Sequence, residues 1–256
     1  MKRFLIILTV LMLLVPCALS EDTDAEALRS FLEQHYGIDI LMGDEVTVPA
    51  APNYEIRNIP EGNSPFQQVY YGNTRFADLL KTMDDVFSVY PPEFFSHFPV
   101  PGYRDKLRFL LVDEVLFDGM RISGYQTMKN GYFDIILGKN DAKERAIHHE
   151  IWHAIEYRIM CEDQNAFDGW AALNPEGFEY TGDFTIIADG TDDLEPDDWF
   201  AREYSKSDAY EDRATVFDAI MTQAEAWWNT RPHLQEKARF LLDKAEPIFG
   251  DLFPGE

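Results

Sequence analysis

Residues 141–160 read DAKERAIHHEIWHAIEYRIM, and inside them His149-Glu150-Ile151-Trp152-His153 spells HExxH. On a helix, residues four apart stand one turn above the other on the same face, so His149 and His153 can offer ring nitrogens to one point. Three nitrogen or oxygen donors, with a fourth position left to water, are the pattern of a catalytic zinc site. Glu150 lies next to that face, where a general base can take a proton from such a water. Two histidines do not hold catalytic zinc by themselves, so the stretch also demands a third ligand from elsewhere in the chain.

The rest of the stretch predicts a helix over 141–160. Ile147, Ile151, Ala154 and Ile155 fall roughly opposite the histidine pair, which gives one face to a core and one to a cleft. Asn140 and Asp141 are expected as N-cap and first-turn acid, and no Gly or Pro interrupts the run.

Upstream, residues 24–36 have helical spacing and stop at Gly37, and 38–41 is a short apolar run that fits a strand. Residues 42–73 are rich in Pro, Gly and Asn and read as loops with one or two short strands. Helical period returns over 74–90 and is ended by Pro91-Pro92. Residues 106–112 form a buried-strand pattern that 115–117 extends. Residues 122–128 and 132–137 flank Lys129-Asn130-Gly131 and suggest a hairpin. The order predicts an α+β, zincin-like fold: a small mixed sheet, the HExxH helix, and a C-terminal helical part. Residues 132–137 are the candidate exposed edge, on which an extended peptide could lie by backbone pairing.

The chain begins with Lys2 and Arg3, an uncharged apolar run over 4–15, and Pro16-Cys17-Ala18-Leu19-Ser20. This describes a secretory signal peptide cleaved after Ser20, and hence a secreted protein. Lipid anchoring through Cys17 is the lesser reading, because Pro16 is a poor residue before the cysteine. Residues 21–256 are expected to form one domain, with 21–73 as an N-terminal accessory segment. Without the leader, 20 basic residues face 46 acidic ones, a net charge of −26. That balance repels nucleic acid and anionic lipid, and the leader's apolar run is too short to be a comfortable membrane span. Cys161 is then the only cysteine, which excludes an intramolecular disulfide. Residues 189–198 (DGTDDLEPDD) are either a solvated acidic loop or oxygen ligands for calcium.

The third ligand is sought among carboxylates on packed helices. The remaining histidines (His35, His97, His148, His233) do not fall at the metzincin spacing HExxHxxGxxH, and neither Gly nor His stands at the required positions after His153. Glu211, in YEDRATVF over 210–217, shares a helical stripe with Asp208, Thr215, Asp218 and Thr222, while Tyr210, Ala214, Phe217, Met221 and Ala224 make a separate apolar side. Glu211 is the first candidate and Asp212 the next.

HHEIWHAIEY followed by EYSKSDAYEDRATVF resembles the zinc-binding metallopeptidases related to the catalytic domain of anthrax lethal factor, over about residues 74–228. These are gluzincins, with HExxH on one helix and a glutamate on a later one. The resemblance implies a Zn2+ peptidase acting on peptide or protein substrates, with His149, His153 and Glu211 as metal ligands and Glu150 as base. It also implies that Tyr204, seven residues before the glutamate, stabilises the oxyanion, with Tyr210 as the fallback. Residues 170–180 (WAALNPEGFEY) look like a stretch common in that group. Thr215 departs from its pattern, which has an acid there to support a metal-bound histidine. Asp208, Asp212, Asp218 or Glu156 would have to substitute. Two other functions stay open: a binding module on the same fold, and a zinc hydrolase of a non-peptide amide.

Overall fold

The computed structural model describes residues 21–47, 52–58, 75–103, 105–128, 131–185 and 197–252. The leader over 1–20 and nearly all of the acidic loop over 189–198 lie outside them. Among the described residues no helix is long and apolar enough to cross a membrane.

The fold is α+β. Helix α1 (Glu21–Tyr36) leads to strand β1 (Asp39–Met42), and β2 (Tyr54–Arg57) precedes helix α2 (Phe76–Phe87). Five strands follow: β3 (Leu107–Val112), β4 (Glu114–Phe117), β5 (Met120–Ile122), β6 (Gly124–Thr127) and β7 (Phe133–Gly138). The HExxH helix α3 (Glu144–Met160) comes next. After it stand α4 (Ala209–Thr222), the single turn α5 (Glu225–Trp228) and α6 (Pro232–Phe249).

The main sheet has the order β1-β3-β7-β6, with β1, β3 and β7 parallel and β6 antiparallel to β7. A second sheet, β2-β4-β5, is antiparallel throughout. Leu107, Phe109, Leu111, Ile135 and Leu137 of the main sheet pack against the helices. Leu110, Val112, Ile136 and Tyr125 face the second sheet at Val115. Both faces being covered is why β3 and β7 read as nearly unbroken apolar runs rather than alternating ones.

Two expectations about strands are corrected. Residues 115–117 do not extend β3. The chain breaks at Asp113, whose carboxylate pairs with Lys139, and β4 belongs to the second sheet. Asp118 and Gly119, at φ 49° and 81°, make the two-residue turn into β5, the mirror-image geometry that suits strand twist. Nor is 132–137 an edge, since β7 lies between β3 and β6. Among the described residues the sheet's edges are β1 and β6, and β6 is the one that runs beside Glu150.

Helix α3 begins at Glu144, with Lys143 as N-cap, not at Asn140 or Asp141. The Gly138 carbonyl accepts from the backbone N–H of both Asp141 and Ala142, which holds 138–142 in a turn. The Asp141 carboxylate is taken by Arg121 at 3.1 Å. Ile147, Ile151, Trp152, Ala154 and Ile155 are fully buried, and each large side chain among them contributes about 1.5–3 kcal/mol by burial. The polar side is covered as well. Tyr90 Oη lies 2.7 Å from His148 Nδ1 in the core. Glu156 accepts from Arg213 Nε (3.0 Å) and from Trp152 Nε1 (3.1 Å), locking α3 to α4.

Candidate metal centre

His149 and His153 face the start of α4 with their rings 4.9 Å apart. Asp208 caps α4, its Oδ1 accepting from the Glu211 backbone N–H at 2.8 Å, which puts Glu211 in the first turn. From there Glu211 Oε2 reaches His149 Nε2 at 2.9 Å and His153 Nε2 at 3.6 Å. The donor atoms of the three residues lie within 4.8 Å of one another.

These separations fit a metal. Ligands at about 2.0–2.2 Å on the corners of a tetrahedron around zinc stand about 3.3–3.6 Å from each other; the 3.6 Å contact falls at the top of that range and the 2.9 Å contact a little below it. Two imidazoles and one carboxylate suit zinc, and three donors leave one position open. All three residues and Glu150 line one cavity of about 420 Å3.

Burial alone would lower the His149 pKa, but hydrogen bonds to Asp218 and Glu211 push it up to about 10. Glu211 is driven the other way. Burial opposes its charge, yet the two histidines hold the carboxyl well below the usual range.

Glu150 is 6% exposed, and its Oε2 has no hydrogen-bond partner. Burial raises its pKa, against the pull of the two histidines. Gly124 lets the β6 edge run close beside it. A Cβ at 124 would strike the Ile136 carbonyl oxygen and sit 3.4 Å from Glu150 Cγ. The Gly138 N–H bonds the Ser123 carbonyl, so by alternation Gly124 and Gln126 turn their backbone groups away from β7. No strand among the described residues pairs with them on that side.

Tyr204 sits in a 3-10 turn (Glu203–Lys206) over the cavity, 8% exposed, with its ring 6.1 Å from that of His149. Burial, reinforced by the Glu211 charge beside it, holds the phenol well above its ordinary range. Tyr210 also lines the cavity, but its hydroxyl is directed to Met160 Sδ and its ring lies under Arg213.

Of the four acids that could replace the one absent at Thr215, one stands beside His149. Asp218 Oδ2 lies 3.4 Å from His149 Nδ1 and is paired with Arg202. Asp208 is the α4 cap and Glu156 is bound to Arg213. Asp212, also the second candidate ligand, is turned into the protein, where it accepts from Lys237 Nζ (2.8 Å), Trp170 Nε1 (3.0 Å) and the Tyr180 hydroxyl (2.8 Å). This gives residues 170–180 a physical role, since both ends of the loop are fastened to α4. The Thr215 hydroxyl meets Ser205 Oγ at 2.5 Å and so ties the Tyr204 turn to α4.

No family model matches the sequence, and no curated protein matches it. Among solved structures the chain is similar to a crystal structure described as a "putative zinc-binding metallo-peptidase" from Bacteroides caccae ATCC 43185. Identity is 15% and the TM-score 0.48, over 91% of this chain and 89% of that one. At that distance, what the site does has to follow from its own residues.

Proposed function

We propose that this chain is a secreted zinc-dependent peptidase of the gluzincin type. The carrying observation is the convergence of His149, His153 and Glu211 on one point at a cavity wall, beside a buried Glu150 with an unpartnered oxygen. Export rests on the leader sequence over 1–20.

His149 Nε2, His153 Nε2 and Glu211 Oε2 would hold the ion, and Asp218 would accept from His149 Nδ1–H to fix the ring's tautomer and direction. Zinc bound there supplies Lewis acidity to a peptide carbonyl and makes water acidic enough to ionise near neutral pH. Glu150 accepts the proton of the attacking water on its free oxygen and delivers it to the leaving amine. The Tyr204 hydroxyl donates a hydrogen bond where negative charge develops on the former carbonyl oxygen, the point at which a fixed donor accelerates most. The outward backbone groups of Gly124 and Gln126 receive an extended peptide as an added strand.

Glu150→Gln tests this reading. The variant is expected to bind zinc like the unaltered chain and to lose hydrolysis of a mixed peptide library by at least about a thousandfold. Full residual hydrolysis sinks the mechanism. A library left uncut by the unaltered zinc-loaded protein leaves a binding module or a hydrolase of another amide.

A further inference from the structure

Among the described residues of the N-terminal segment, Tyr54 reaches the cleft, and the proposed mechanism does not use it. Strand β2 pairs with β4, setting Tyr54 opposite Phe117 with ring centroids 5.0 Å apart. From that register Tyr54 crosses to the other sheet and stacks on Tyr125 of β6, at 4.2 Å and 29°. Tyr54, Phe117, Ile122 and Tyr125 all line the cavity that holds Glu150 and Glu211. Burial raises the Tyr54 phenol above its usual range, and the charges of Glu150 and Glu211 raise it further. An aromatic wall therefore begins on the edge strand and ends beside the candidate metal ligands.

Side chains of an extended peptide alternate between two faces. In a peptide paired with β6, those on the Tyr125 face are directed at this wall. Tyr54 and Phe117 are partly exposed there, so they offer ring surface to a guest.

We propose that Tyr54, with Phe117, forms a specificity subsite that selects peptides carrying an aromatic or large aliphatic residue next to the cleaved bond. This rests on the peptidase reading above, but binding alone can test it. The zinc-loaded Glu150→Gln protein, residues 21–256, is titrated by calorimetry with Gly-Gly-Phe-Leu-Gly and with Gly-Gly-Gly-Leu-Gly.

The phenylalanine peptide is expected to bind at least about tenfold tighter. Adding Tyr54→Ala should cut that preference to about threefold or less, and Tyr54→Phe should retain it, because the ring makes the contact. Phe117→Ala should weaken the preference independently, should Tyr54→Ala fail to fold. Equal binding of the two peptides, no measurable binding of the phenylalanine peptide, or a preference that survives both alanine variants overturns the subsite. If the preference follows Tyr54 but the unaltered zinc-loaded protein leaves a mixed peptide library uncut, Tyr54 and Phe117 stand as a peptide-binding subsite and the peptidase reading falls.

Discussion

Asp218 supports His149 from two turns beyond Glu211 on α4, three residues past the position the family resemblance reserves for an acid. Residues 215 and 218 share a helix face, so moving the carboxylate one turn along still lets it reach the Nδ1 side of the ring. Its other partner, Arg202, holds it in place beside the ring. Asp218→Asn should therefore lower zinc affinity by about 10–100-fold. Competition against a fluorescent chelator measures this, and the far-ultraviolet circular dichroism should stay unchanged. Unaltered zinc affinity would mean that Asp218 serves only to anchor Arg202. Sequence spacing could narrow the supporting acid to four residues and no further. The choice depends on which carboxylates other partners claim, and Lys237 and Arg213 stand 25 and 57 residues from the acids they claim, Asp212 and Glu156.

At the level of elements, α4 is held by buried ion pairs on both sides, and these account for acids that the sequence alone leaves ambiguous. Lys237 is wholly buried against Asp212. Burial lowers the lysine's pKa and raises the aspartate's, with each partner opposing the shift. Removing one member strands the other in a poor solvent, whereas exchanging both for apolar residues removes the desolvation cost altogether. Lys237→Met should cost about 3–5 kcal/mol in urea unfolding, and Lys237→Met with Asp212→Leu clearly less. Equal losses in the single and double variants would show that the Asp212 contacts to Trp170 and Tyr180 dominate. The helices were legible because their 3.6-residue period spans several turns. The sheets were less so. Asp118-Gly119 is a strong hairpin signal, and without it 114–117 merges with β3. Periodicity also does not reveal which strand of a hairpin lies outermost. That outcome depends on β3 pairing with β7, 26 residues away, and leaves β6 at the edge.

For the molecule as a whole, the acidic surface complicates any claim of a specific metal. A chain with 46 acidic against 22 basic residues gathers divalent cations loosely wherever carboxylates cluster. Diffuse binding of this kind is screened by salt and distinguishes poorly between folded and unfolded chains. A built site differs because its donors converge only after folding: His149 and Glu211 are 62 residues apart in the chain and 2.9 Å apart in space. Zinc held there must stabilise the fold by mass action, by about 2.7 kcal/mol at a free concentration one hundred times Kd. That corresponds to a rise of about 5–10 °C in Tm for a chain of this size. In 0.3 M salt the rise should persist in the unaltered protein and in Glu150→Gln. It should disappear in Glu211→Ala, which leaves the rest of the acidic surface in place. A shift that survives Glu211→Ala would place the stabilising ion elsewhere on the molecule, and the three converging side chains would then be no more than a histidine–carboxylate cluster.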